Sequence, residues 1–318
     1  MSPSPSQPLA LVAGASRGLG LLIAGELGRR GHRVAICARD SETLERAATQ
    51  LRDDGATVTT YICDVSDRQQ VERMIDAVET ADGVIDTAIV VAGVIQVGPL
   101  DSLSRTHFVE AIDIMLWGPI NVGLALASRM RGRGRGRIGV ITSIGGLVSV
   151  PHLLPYSTAK FGAVGFAQGL RAELAGTGVS VTTVAPGLMR TGSHLRAKFV
   201  GNQGREFAWF SAGASMPLVS MDADRAAARI VDGVLAGRAM VVLTPLAQVA
   251  MRVNALFPGA TAALLNVMSR LLPRAPSGAT DTVEGHTARG RLPAGGRVAV
   301  DGITTLGRRA AARNNEAP

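Results

Sequence analysis

Short apolar runs alternate with longer segments in which apolar residues return every three or four positions, from Leu9 to about Pro245. Runs of strand length begin near Leu9, Arg33, Thr57, Asp86, Arg137, Val179 and Ala239, and the segments between them have helical period. Such alternation builds βαβ units, because each crossover helix returns the chain to start a parallel neighbour. The pattern therefore predicts an α/β chain with a doubly wound, seven-stranded parallel sheet. The first helix is expected to start near Gly18. The fourth runs from about Ser104 to Met130 and is disturbed near Gly118-Pro119, and the fifth begins at Pro155.

From Gly192 to Val219 the period breaks down, with glycine, serine and scattered aromatic residues, which predicts a mobile lid over a site. Pro245 to Leu272 is strongly apolar and reads as two short helices broken at Pro258-Gly259. Beyond Pro273 the chain turns to Gly, Ala, Arg, Thr and Pro without sustained period, so a largely disordered tail is expected over 273–318. The expected organisation is one domain over 1–272, with a lid at 192–219 and a helical extension at 245–272.

Composition narrows this picture. Apolar residues make up 47% of the chain but aromatic residues only 3%, so small and branched aliphatic side chains must fill the core, as where helices pack closely on a parallel sheet. The net charge of +8 is carried by arginine, since Lys160 and Lys198 are the only lysines. Basic residues gather at Arg129 to Arg137 and in the tail with no aromatic residues between them for base stacking, which argues against nucleic acid. Cys37 and Cys63 do not make a disulfide framework and read as reduced core residues. No basic leader precedes the first apolar run, and no 18 apolar residues follow one another without interruption, so a cytoplasmic chain without a spanning helix is expected. The histidines His32, His107, His194 and His286 show no ligand spacing, and no metal is expected.

The segment Gly14-Ala15-Ser16-Arg17-Gly18-Leu19-Gly20 joins the first strand to the first helix. Glycine permits a tight turn and close backbone approach, and the free amides of a helix start favour a pyrophosphate. Downstream, Tyr156-Ser157-Thr158-Ala159-Lys160 opens the fifth helix and sets a phenol and an amine one turn apart on one face. An ammonium near a phenol favours the phenolate, so proton exchange with a carbonyl or alcohol oxygen becomes feasible. Ser143, just past the fifth strand, offers a hydroxyl to support negative charge on that oxygen.

In these motifs, over about residues 8 to 245, the chain resembles the short-chain dehydrogenase/reductase family, whose fold is a Rossmann fold. The resemblance implies a catalytic set of Ser143, Tyr156 and Lys160, with Tyr156 as the acid for ketone reduction and the base for alcohol oxidation. It also implies a dinucleotide held by Gly14, Ser16, Arg17, Gly18, Leu19, Gly20, Arg39, Asp64, Val65, Ala92, Gly93, Tyr156, Lys160, Pro186, Gly187 and Thr191. Ala38-Arg39 stand where an acidic residue would repel a 2′-phosphate, and Arg17 adds a second guanidinium, so the implied cofactor is NADP(H). Two features depart from the family pattern. Val90-Val91 replace its paired asparagines before Ala92-Gly93, and Met115 stands at the position of its fourth catalytic asparagine. Asn121 reads as a helix-packing residue and His152 as a solvated loop residue.

The expected reaction is hydride transfer between NADPH and a carbonyl or secondary alcohol. The expected substrate is apolar, lined by Phe199, Phe207, Trp209, Phe210, Met216 and Leu218 and by the Leu246 to Leu272 segment. The alternative is an NADPH-binding sensor with little turnover. Family habit implies a homodimer or homotetramer, and the apolar extension with its arginines raises peripheral membrane contact.

Overall fold

The computed structural model describes residues 7–215, 220–275 and 278–316. A parallel sheet of seven strands forms its centre: β1 (Leu9–Ala13), β2 (Arg33–Ala38), β3 (Val58–Ile62), β4 (Ile85–Val90), β5 (Gly136–Ile141), β6 (Val179–Ala185) and β7 (Met240–Val242). Their order is β7-β6-β5-β4-β1-β2-β3, with every neighbouring pair parallel. This is the doubly wound arrangement the alternating pattern predicts, and each strand starts within a residue of its expected place. The order reverses beside β1, whose neighbours are β2 and β4, and in such sheets the crevice at the carboxyl ends of the strands at this point takes a ligand.

Two apolar layers hold the helices on the sheet. On one face α1 (Gly18–Arg29), α2 (Ser41–Asp53) and α8 (Ala223–Leu235) bury Leu21, Ile23, Leu27, Leu44, Leu51, Ile230 and Val234 against Val12, Ile36 and Ile89. On the other face α3 (Arg68–Ala81), α5 (Gly118–Arg133) and α6 (Leu154–Glu173) bury Val71, Ile75, Val122, Leu126 and Leu170 against Leu11, Ala35 and Val140. Side-chain caps start several helices: Asp40 accepts from the Thr43 amide at 2.8 Å, and Asp67 from those of Gln69 and Gln70 at 2.9 and 3.1 Å.

The fourth helical segment is α4 (Arg105–Ile112) followed by α5, joined by a π turn at Asp113–Trp117. The disturbance expected near Gly118-Pro119 thus takes the form of a widened turn just before them. By length and composition Arg105–Arg133 passes for a membrane span, but more than half of its most apolar window is buried in the fold.

The carboxyl-terminal third departs furthest from expectation. The Gly192 to Val219 region carries a helix, α7 (Gln203–Ser215), with residues 216–219, including Met216 and Leu218, outside the described residues. Helices α9 (Pro245–Leu256) and α10 (Pro258–Leu271) break where Pro258-Gly259 predicts. The expected disordered tail is instead folded over 278–316, with α11 (Gly285–Gly290), α12 (Ala294–Ile303) and α13 (Thr305–Arg313). Ala288, Leu292 and Ala311 of this segment pack around Phe199, Phe207 and Phe210, and Arg289 holds Asp301 through two hydrogen bonds of 2.7 and 2.5 Å. The aromatic residues expected to line a pocket thus form a small second core, with Val283–Glu284 adding a strand to Lys198–Phe199. The tail's own apolar residues are small and sparse. They find burial only against aromatics distant in sequence, which local period does not reveal.

Candidate active site

The turn after β1 is built from close backbone approaches that exclude side chains. Gly14 has φ +92°, and a Cβ there would stand 2.6 Å from the Ala92 nitrogen after β4. A Cβ on Gly20 would overlap the Gly14 carbonyl. The amide of Gly14 donates to the Cys37 carbonyl at 2.9 Å, and those of Val91 and Ala92 to the Ala13 carbonyl at 2.8 and 3.0 Å. Three strand ends are thereby pinned around the amino-terminus of α1, where helix-start amides and the helix dipole favour an anion.

Ser143, Tyr156 and Lys160 meet on the neighbouring strand end. Ser143 caps the short turn Ile144–Gly146 by accepting from the Gly145 amide at 3.0 Å, and its hydroxyl lies within hydrogen-bonding reach of the Tyr156 phenol. The two glycines allow this closeness. A Cβ on Gly145 would stand 3.0 Å from the Tyr156 ring, and one on Gly146 would stand 2.6 Å from the Lys160 carbonyl. Lys160 is buried, donates from Nζ to the Ile141 carbonyl at 2.8 Å, and lies 5.9 Å from the centre of the Tyr156 ring. Burial lowers the Lys160 amine to about 8. Burial also pushes the Tyr156 phenol up, against a smaller lowering by Ser143, so near neutral pH Tyr156 is a protonated acid beside a mostly charged amine.

The remaining expected contact residues gather along the same crevice. Arg39 Nη1 stands 3.7 Å from an Asp64 carboxylate oxygen, and the other oxygen of Asp64 accepts from the Ser66 amide and hydroxyl at 3.0 and 2.7 Å. Val65 packs against Gly118, and Asn121 donates to the Val65 and Ser66 carbonyls at 2.9 and 3.1 Å, the helix-packing role expected of it. Pro186 accepts from the Ile144 amide at 2.8 Å, and a Cβ on Gly187 would stand 2.5 Å from the Thr244 hydroxyl. Thr191 is buried and accepts from the Ser193 amide at 3.2 Å. Ser16 and Leu19 are buried in the turn itself. Cys37 and Cys63 are both buried as free thiols.

Three features escape sequence reasoning. Met115 is fully buried within the π turn, with its sulfur near Gly93, so the helix widens there without the family's asparagine. His152, expected in solvent, is held at φ +64° with its Nδ1 at 2.9 and 3.0 Å from the two oxygens of buried Glu206, which also accepts from Trp209 Nε1 at 2.7 Å. This pair ties α7 to the loop before Tyr156. Its partners are too far apart in sequence to be matched from a pattern. Finally, Asn314, Asn315 and Glu316 reach the glycine turn from the far end of the chain.

Fold and site together define an oxidoreductase class, and sequence comparison agrees. The profile of the short chain dehydrogenase family matches residues 8–198. A protein named as a ketoacyl reductase from Streptomyces coelicolor is 38% identical over 185 residues, 58% of this chain and 71% of that protein. D-threitol dehydrogenase of Mycolicibacterium smegmatis is 34% identical over 183 residues, 58% of this chain and 70% of that enzyme. Among solved structures, a variant of actinorhodin polyketide ketoreductase with NADPH superposes with a TM-score of 0.66 and 29% identity, covering 74% of this chain and 95% of that one. The chain belongs to the short chain dehydrogenase family.

Proposed function

We propose that the protein is an NADP(H)-dependent reductase of carbonyl groups, or dehydrogenase of secondary alcohols, with Tyr156 as its proton donor and acceptor. The observation that carries this reading is the convergence of Ser143, Tyr156 and buried Lys160 one strand away from the glycine turn. The fit of that turn to a dinucleotide rests on its geometry: Gly14 and Gly20 leave room only for backbone, and the crevice already takes in the carboxyl group of Glu316 beside Gly18. Gly14, Ser16, Gly18, Leu19 and Gly20 would hold the pyrophosphate; Asp64, Val65, Ala92 and Gly93 the adenosine side; Pro186, Gly187, Thr191 and Lys160 the nicotinamide side. When bound, the nicotinamide supplies or accepts the hydride. Arg17 and Arg39 favour the 2′-phosphate through guanidinium charge, although Arg39 is shared with Asp64.

In the reducing direction Ser143 donates a hydrogen bond to the substrate oxygen and Tyr156 gives it a proton. Lys160, while charged, stabilises the phenolate that Tyr156 becomes. Tyr156 belongs to the apolar surroundings that also take in Val94, Ile95, Val150, Leu153 and Trp209, which supports an apolar substrate. The ketoacyl reductase and polyketide ketoreductase relatives support a carbonyl on an acyl chain. NADPH oxidation against a panel of lipophilic ketones, aldehydes and β-ketoacyl thioesters tests the reading, and no turnover with any of them would count decisively against it. The gathering of Ser143, Tyr156 and Lys160 supports turnover over the sensor alternative.

The depressed Lys160 amine predicts a pH profile. Its charge is present below about 8 and lost as pH rises through that value, so reductive kcat is expected to fall on the alkaline side of about pH 8. A rate independent of pH from 6 to 10 would rule out this role for the amine.

Buried free Cys37 and Cys63 support a reducing, cytoplasmic setting. Exposed Val109, Trp117, Leu124 and Phe161 on α4 to α6 support a homo-oligomer formed through these helices. The exposed hairpin of α9 and α10 supports peripheral contact with an anionic lipid surface. Leu246, Val249, Val253 and Leu256 form one outward stripe and Leu264, Val267, Met268 and Leu271 another. The stretch 245–275 carries Arg252, Arg270 and Arg274 and no acidic residue. The protein is expected to co-sediment with vesicles containing anionic phospholipid, and a variant with serine at 249, 253, 264 and 267 to remain in the supernatant. A native chain that stays in the supernatant would end the membrane reading, and a drop in solution mass in the serine variant would assign the face to a second copy.

A further inference from the structure

The last described residues of the chain lie in the crevice assigned above to the dinucleotide. The Gly18 amide, the first of α1, donates to the Asn314 carbonyl at 2.7 Å. Asn315 Nδ2 donates to the Ser16 carbonyl at 2.7 Å and to the Thr43 carbonyl at 3.2 Å, and Asn314 Nδ2 donates to the Thr191 carbonyl at 3.1 Å. The Arg313 carbonyl accepts from Gln50 on α2 at 3.2 Å, and that of Glu316 from Arg196 at 3.3 Å. A Cβ on Gly192 would stand 2.5 Å from the Ala311 backbone, and one on Gly18 would overlap the Glu316 carboxyl group. One short stretch thus covers the Thr191-Gly192 turn and the Ser16 to Gly18 turn together.

We propose that Asn314–Glu316 is an intramolecular competitor of NADP(H), an autoinhibitory strap that must leave the glycine turn before the dinucleotide can enter. The inference rests on the reading of that turn as a dinucleotide site. The strap satisfies an amide that a pyrophosphate oxygen would use, and it brings an acidic side chain to within the electrostatic reach of Arg17 and Arg196. Glu316 is 6% exposed, and this burial lifts its carboxyl to about 7 despite the two guanidinium groups, so seating it has a cost that exposure to solvent removes. A contact with that built-in cost opens more readily than a buried apolar one. Strap and pyrophosphate need the same Gly18 amide and the same space beside Gly18, so their occupancies exclude each other, and apparent cofactor affinity is reduced by the fraction of molecules that are strapped.

The test is a titration of NADPH fluorescence with three proteins: the full chain, a chain ending at Arg313, and the full-length Glu316→Lys variant, which sets like charges against Arg17 and Arg196. Both altered proteins are expected to bind NADPH about tenfold more tightly, as for a strap seated in roughly nine molecules of ten. NADPH is also expected to speed carboxypeptidase release of the end of the full chain. Equal affinities in all three proteins, with release unaffected by NADPH, would overturn the strap while leaving the dinucleotide site standing. Absence of NADPH binding in all three would overturn both. The lysine variant guards against loss of α13 packing in the shortened chain, and thermal unfolding of each protein checks that it is folded.

Discussion

Tyr156→Phe is expected to lower turnover by about three orders of magnitude while NADPH affinity stays within about twofold of the native value. The substitution removes one oxygen from a side chain whose ring position is set by neighbours that remain. Gly145 passes close to one edge, and the Ala111, Ile114, Met115 and Ala159 cluster supports the helix it starts from. Loss of the phenol leaves Ser143 still able to approach the substrate oxygen, but no acid takes the phenol's place there. Lys160 donates to the Ile141 carbonyl and lies 5.9 Å from the ring centre, so its amine is poorly placed to take over. Steady-state kinetics, with NADPH fluorescence for binding, separates chemistry from affinity. Retention of a tenth or more of native turnover would remove Tyr156 from the catalytic role. Thermal stability should change little, by about 1 kcal/mol, since the phenol's neighbour Ser143 keeps its Gly145 hydrogen bond.

Gly20→Ala is expected to damage fold and cofactor binding together. The added methyl would overlap the Gly14 carbonyl and press on the Ala15 backbone, and none of these atoms belongs to a flexible side chain. Relief requires α1 to move away from the end of β1, which also disturbs the Gly14 amide bonded to Cys37 and the close approach of Gly14 to Ala92. The expected cost is about 3 kcal/mol of stability, the upper range for overpacking of a dense site. A shift of the turn by even about 1 Å should also weaken NADPH binding on the order of 10²-fold. Denaturant unfolding and NADPH titration measure the two effects. Native stability and affinity in this variant would show that the turn can relax where the geometry says it cannot. Gly31 makes a useful control, because a Cβ there meets nothing within 4 Å, although its φ of +81° still disfavours a side chain.

The order of elements and the glycine turn were legible because each depends on neighbours in sequence. Alternating apolar runs mark buried strands, and Pro258-Gly259 interrupts a helix wherever it occurs. The juxtaposition of Tyr156 and Lys160 follows from one helical turn. Ser143 needed more than local pattern, since its approach to Tyr156 depends on the Ile144–Gly146 turn after β5 packing on α6; the family resemblance supplied that adjacency before the structure did. By contrast, His152 looked like a solvated loop residue because its partner Glu206 belongs to a helix in the supposed lid. Phe199, Phe207 and Phe210 looked like pocket walls because the alanines that cover them, Ala288 and Ala311, lie in a stretch with too little apolar period to announce a fold.

Met115 marks the same boundary. Its sequence position suggested the loss of the family's fourth catalytic residue. Yet the widened turn at Asp113–Trp117 forms around a buried methionine, so the widening does not need the asparagine side chain.

Sequence by itself determined the parallel sheet, the turn suited to a dinucleotide and the pairing of phenol with amine, because short-range period, glycine conformation and helical spacing act within a few residues. Tertiary structure alone decided that burial brings the Lys160 amine to about 8, that α7 is tied to the active-site loop, and that Asn314 to Glu316 lie against Ser16 and Gly18. Those outcomes depend on desolvation and on contacts between residues far apart in the chain, which exist only once the whole chain has packed.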